Sequence, residues 1–188
     1  MTTTWISEDG EPVGKKISFF GWVLLFSRGS AIIFIIVFGL LLKFLLRVFE
    51  KPLFGDMRPV SPQITVMVSK ISLWLLSIPV IRFGAPLKKP GAFVANHSSW
   101  LDIFALNSGQ SLYFVSKSEV ASWPGIGLLA KATGTLFIRR ESKEAVAQKK
   151  LFGQRIKMGH RLLFFPEGTS TDGMRVLPFK SALFQAFF

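Results

Sequence analysis

The sequence predicts an α/β fold: a central mixed sheet flanked by helices, preceded by a two-helix membrane-associated hairpin. Three observations predict it. Over the second half of the chain, four short runs rich in Phe, Val, Leu and Ile alternate with helical stretches. In the first half, two longer apolar runs flank a connector rich in proline and glycine. The chain is also apolar and basic at once, with 49% hydrophobic residues and 23 Lys+Arg against 11 Asp+Glu, a formal charge of +12.

The elements follow in order. Residues 1–16 are polar, contain Gly10, Pro12 and Gly14, and read as a lead-in. They lack the basic start of a secretory signal, so no cleaved signal peptide is expected. Residues 17–84 read as the membrane motif. Gly29 to Leu42 is uncharged and almost wholly apolar, and Lys43 interrupts it. A spanning helix needs about 20 apolar residues, so this run spans only if Arg28 or Lys43 snorkels. The second run, Ile64 to Ile81, contains Lys70 and Pro79. The connector, with Pro52, Gly55, Pro59 and Pro62, is expected to break any helix. A monotopic hairpin and two full spans both fit.

Residues 85–188 read as the catalytic region. Strands are expected at Ala92–Ala95, Leu112–Ser116, Thr135–Arg139 and Arg161–Phe165. Helices are expected near Trp100–Asn107, Ser118–Lys131 and Ser142–Met158, the last with Ser142 as N-cap.

Composition narrows the function. An apolar, basic chain fits a bilayer surface with anionic headgroups. Nucleic acid fits poorly, because the apolar excess lies in the first half and 20 Phe accompany a single Tyr. The absence of cysteine excludes disulfides, thiolate metal sites and a cysteine nucleophile. No His/Asp/Glu cluster has metal-ligand spacing, so no metal is expected.

Four blocks could carry chemistry. "NHSSWLD", Asn96 to Asp102, follows the first expected strand, a favoured site position in α/β folds. On one helix His97 and Asp102 would lie roughly 140° apart. They meet only if His97 sits in a turn and Asp102 in the first helical turn, with Ser98 or Ser99 as N-cap. Such a pair suits general-base catalysis: the imidazole removes a proton from an alcohol and the carboxylate fixes its tautomer. Alone, the spacing reads more readily as a capped turn and a capped helix. Neither Ser98 nor Ser99 sits in a G-x-S-x-G elbow. "GTLFIRR", Gly134 to Arg140, delivers Arg139 and Arg140 at a strand end, either an anion fork or a solvated pair. "FFPEGTS", Phe164 to Ser170, could bind a headgroup through backbone N–H groups and hydroxyls, or could be a turn that needs Gly168. "VLPFK", Val176 to Lys180, says little alone. His160 reads as structural.

Together, in this order, the blocks resemble the glycerolipid acyltransferases of the lysophosphatidic acid acyltransferase type. That family's pattern is N-H-x4-D, then G-x-x-F-I-x-R, then F-P-E-G-T, then a V/I-x-P-x-x block. The resemblance covers about half the chain, Ala92 to Lys180. It implies acyl transfer without a metal or resident cofactor, from acyl carrier protein or coenzyme A thioesters to a lysolipid hydroxyl. It assigns His97 as general base and Asp102 as its orienting acid. It points to Lys117, Arg140, Glu167, Gly168 and Thr169 for the acceptor headgroup, with Arg139 at a variable position and Ser170 in the same loop. It also implies membrane-lipid partners and a bacterial inner-membrane location with the catalytic domain on the cytoplasmic face.

Two departures matter. Many members that use phosphate acceptors carry Arg where this chain has Ser170. The wording "NHSSWLDI" and "EGTSTDG" is similar to bacterial lyso-ornithine lipid acyltransferases, so a lyso-aminolipid acceptor stands beside lysophosphatidic acid. A non-catalytic lipid-binding protein and a lipid hydrolase are the alternatives. The chain also stops at "LFQAFF", soon after the fourth block, so the acyltransferase domain, residues 85–188, is expected to be truncated at its C-terminal end.

Overall fold

The computed structural model describes residues 16–86, 88–139, 144–181 and 184. The expected Ser142 cap and Arg140 lie outside these residues.

Helix α1, Phe19–Phe54, opens with Ser18, whose hydroxyl accepts the Gly21 N–H at 3.1 Å. It continues past Lys43 and through Pro52, and stops at Gly55, whose φ is +58° and whose N–H bonds to the Lys51 carbonyl at 2.9 Å. At about 1.5 Å per residue, its 36 residues are longer than a bilayer core needs. Only 11% of its most apolar window is buried, and Phe20, Phe26, Phe34 and Phe44 are exposed. This one helix among the described residues is long and apolar enough to cross a membrane.

Helix α2, Ser61–Leu75, returns beside it. Arg28 and Lys43, whose snorkelling was the condition for a full span, both turn to α2's side. Arg28 Nη2 donates to Ser77 Oγ at 3.1 Å, and the buried Lys43 Nζ donates to Thr65 Oγ1 at 2.8 Å. At the turn, Glu50 Oε1 accepts the Val60 and Ser61 N–H groups at 2.7 and 3.1 Å. A carboxylate there satisfies N–H groups that the helix start leaves open and complements its dipole. Gly39 lets the helices touch, since any Cβ there would overlap Val68 Cγ2. The connector therefore breaks the chain at Gly55 rather than at Pro52. The second helix ends at Leu75, short of the expected Ile81.

The remaining elements are β1 (Gly91–Val94), α3 (Asp102–Asn107), β2 (Tyr113–Lys117), a 3-10 turn (Ser118–Ser122), α4 (Ile126–Thr133), β3 (Leu136–Ile138), α5 (Ala145–Lys157) and β4 (Arg161–Phe164). The expected single helix from Ser118 to Lys131 is split where Pro124 precedes Gly125, whose φ is +69°.

The four strands pair in the order β1-β4-β2-β3, and every pairing is parallel. The expectation of a mixed sheet is corrected on this point. A helical crossover links each strand to the next in sequence, and such crossovers return the chain in the same direction. Strand β4 enters between β1 and β2, pairing Phe93 with Leu163 and Phe114 with Leu163 from opposite sides. The core lies on one face of this sheet, where Phe152 of α5 packs against Tyr113, Val115, Leu136, Ile138, Leu162 and Phe164. Phe152 and Leu162 are essentially fully buried. Helix α2 packs on α3, which ties the hairpin to the sheet.

Candidate active site

Because all four strands are parallel, the segments after them emerge at one edge. The loop after β1 carries His97, β2 ends in Lys117, β3 leads to Arg139, and β4 leads to Phe165 and Glu167. Pairing of β1 with β4 places two blocks 70 residues apart in sequence side by side.

His97 Nδ1 lies 2.7 Å from Asp102 Oδ2. His97 is in the turn after β1, and Asp102 is the first residue of α3. Capping runs opposite to expectation. Neither serine side chain caps the helix; Asp102 Oδ2 instead reaches back and accepts the Ser98 and Ser99 N–H groups at 2.8 and 3.0 Å. Ser98 Oγ donates to Asp102 Oδ1 at 3.1 Å, and Ser99 Oγ accepts the Leu101 N–H at 3.0 Å. Burial alone would raise the Asp102 carboxyl. The Ser99 N–H, the His97 ring and the Ser98 N–H outweigh it and hold the group below the ordinary aspartate range. An ionised Asp102 places the proton of His97 on Nδ1 and leaves the Nε2 lone pair available as a base. Among the described residues Nε2 has no hydrogen-bond partner.

The third block frames this pair. Phe165 stacks on the His97 ring, centroids 4.0 Å apart and planes 13° apart, and Phe114 of β2 stacks on Phe165 at 5.9 Å. Glu167 is 1% exposed. Its Oε1 accepts the His97 N–H at 2.7 Å and its Oε2 accepts the Leu177 N–H at 2.9 Å. Thr171 donates through its N–H to the His97 carbonyl at 2.9 Å. The fourth block closes on the third: besides the Leu177 contact, the Lys180 N–H donates to the Pro166 carbonyl at 2.9 Å.

Among the expected headgroup residues, Gly168, Thr169 and Ser170 lie partly buried in the loop after β4. Gly168 has a φ of +73°, a left-handed conformation that favours glycine. Lys117 is partly buried at the end of β2. Arg139 is exposed and lies 3.5 Å from Glu144. Glu167 is enclosed, and both its oxygens accept backbone N–H groups. Sequence reasoning missed Phe165 and Thr171 as neighbours of His97. A stacked ring and a backbone contact leave no spacing signature.

Known proteins carry the same pattern. The model of a family described as "Acyltransferase" matches residues 79–188. The chain is 50% identical to the lyso-ornithine lipid O-acyltransferase of Rhodobacter capsulatus, over 98% of this chain and 66% of that protein. It is 43% identical to the Rhizobium meliloti enzyme of the same name, over 53% of this chain and 34% of that protein. It is 39% identical to the 1-acyl-sn-glycerol-3-phosphate acyltransferase of Neisseria gonorrhoeae, over 54% of this chain and 41% of that protein. The chain thus spans less than two thirds of the length of each of these relatives. No solved structure matches it. Since the family's match takes in more than half of the sequence, and with it all the loops that meet at this sheet edge, the protein is a member of the acyltransferase family.

Proposed function

We propose that the protein transfers a fatty acyl group from an acyl carrier protein or coenzyme A thioester to the free hydroxyl of lyso-ornithine lipid. The observation that carries the acceptor is the 50% identity with the Rhodobacter capsulatus protein along nearly the whole chain. Ser170, where an arginine would favour phosphate, agrees with it. The residues that act are His97 and Asp102.

In the proposed reaction, Nε2 of His97 takes the proton of the acceptor hydroxyl as its oxygen attacks the thioester carbonyl. A C–O bond forms, the tetrahedral intermediate collapses, the C–S bond breaks, and the imidazolium returns the proton to the departing sulfur. Asp102 holds the ring and stabilises its charged form. No acyl-enzyme is needed. The geometry favours direct transfer over a serine hydrolase, because Ser98 Oγ donates to Asp102 rather than to His97. Lys117, Arg139, Arg140, Gly168, Thr169 and Ser170 are proposed to receive the headgroup, and Glu167 to set the loop that positions His97. Residues 17–84 would anchor the acyltransferase region, residues 85–188, at the cytoplasmic face of a bacterial inner membrane.

The test offers lyso-ornithine lipid and lysophosphatidic acid in parallel, with one labelled thioester donor. Acylated ornithine lipid is expected as the main product, and His97→Ala is expected to lower turnover by about 10²- to 10⁴-fold while membrane association persists. Wild-type turnover in that variant would refute the mechanism. A marked preference for lysophosphatidic acid would refute the acceptor.

A further inference from the structure

A second polar site lies at the opposite edge of the sheet. There the hairpin turn, with Met57 and Arg58, meets Tyr113 at the start of β2 and His160 and Arg161 at the start of β4. These residues line a half-open cavity of about 190 Å³, with Gln63 of α2 also on its wall.

Its donors exceed its acceptors. Arg58 Nε, Arg161 Nε and Tyr113 Oη are buried and, among the described residues, have no hydrogen-bond partner. Tyr113 is only 4% exposed. A buried donor without an acceptor costs about 1–3 kcal/mol, and more if charged. The local field is positive as well. Arg155 lies over the Tyr113 ring at 5.0 Å, and its Nη2 is committed to the Gly134 carbonyl at 3.0 Å. The nearby carboxylates Glu50 and Asp56 offset this charge only in part, because both also face a further cation, Arg47, at 3.5 and 3.4 Å. Arg58 holds a φ of +51°, a strained backbone for a non-glycine residue. Clustered guanidiniums, a buried phenol and an open cavity fit an oxyanion with several acceptor oxygens.

We propose that this cavity binds a phosphate group, separately from the acyl-transfer site. A phospholipid headgroup and free phosphate share that chemistry. The position favours the lipid, since the cavity adjoins the turn that ends the exposed apolar helix α1, where a basic cluster meets anionic headgroups. Occupancy would fasten the hairpin turn to the sheet.

The protein in neutral detergent is titrated with inorganic phosphate at constant ionic strength, and separately with micelle-dispersed phosphatidylglycerol, with phosphatidylcholine as control. The readout is the thermal unfolding midpoint. A saturable rise is expected, with at least about tenfold weaker apparent affinity in Arg58→Gln and in Gln63→Glu. Gln63→Glu guards against misfolding: Gln63 is exposed in the first turn of α2, where a negative charge suits the helix dipole. A rise with phosphatidylglycerol, alone or alongside inorganic phosphate, supports the headgroup. A rise with inorganic phosphate alone supports a free-phosphate site and rejects the headgroup. No saturable rise, or one unchanged in both variants, overturns the proposal.

Discussion

His97 is restrained at Nδ1, at one ring face and at both its backbone groups, and among the described residues only Nε2 is left open. Asp102 holds Nδ1, Phe165 covers the ring face, Glu167 holds the backbone N–H, and Thr171 holds the carbonyl. These restraints suit the role proposed for His97, since proton transfer allows a base only a small positional tolerance. Glu167 is the most exacting of them. A glutamine there would present one oxygen and one NH2 to two backbone donors, leaving donor against donor in a buried place. The expected cost is about 1–3 kcal/mol, together with a lower kcat. Glu167→Asp should recover less of the activity than a mere charge requirement would allow, since its shorter arm cannot reach both loops. Steady-state kinetics with a thermal melt would check this; unchanged kcat and melting in Glu167→Gln would remove Glu167 as a positioning residue. The sequence shows the His97–Asp102 contact because a strand, a turn and a helix start can be read from residue types. It does not show Glu167's partners, because backbone N–H groups carry no sequence signature.

At the scale of elements, the hairpin is held by contacts that only pairing creates. Gly39 allows close approach, Lys43 and Arg28 reach α2 and the residues just beyond it, and Glu50 closes the turn. Gly39→Leu should force α1 and α2 apart and cost about 1–3 kcal/mol. Gly29→Leu, where a Cβ meets nothing within 4 Å, should be neutral or slightly stabilising. Melting curves of the two variants in one detergent would compare them, and equal effects would argue against close packing at Gly39. This pairing also explains what sequence reading missed. A charge inside an apolar run looks like a boundary until its partner on another helix is known. All four strands were legible within about two residues, because apolar β-rich runs between turn residues mark them. Their common direction and their order were not, because composition does not state which edge an incoming strand joins.

Over the whole molecule, acid should weaken the fold in a defined window. His160 is buried against Tyr113, with centroids 4.3 Å apart, and donates from Nε2 to the Met57 carbonyl at 3.2 Å. Burial first, then the positive charge of Arg155, brings its pKa down to about 4 from the ordinary 6.5. Between those values the unfolded chain binds a proton that the folded one refuses, so stability falls as pH drops from 6.5 towards 4 and this contribution levels off below. The Asp102 carboxyl, held low, adds a further loss at more acidic pH. Melting temperatures across that range should slope less in His160→Gln, and an equal slope would clear His160 of the effect. The order β1-β4-β2-β3 has one more consequence, for synthesis on the ribosome. One of the two inner strands, β4, is the last of the four to be made, and residues 91–94 stay unpaired until residues 161–164 exist. Until then β1 has no neighbour and the loops bearing His97 and Glu167 are apart. The nascent chain therefore carries β1 unpaired, and the loops of the site apart, until residues 161–164 have been made. A slow, non-local closing step, exposed to misassociation, is built into the topology.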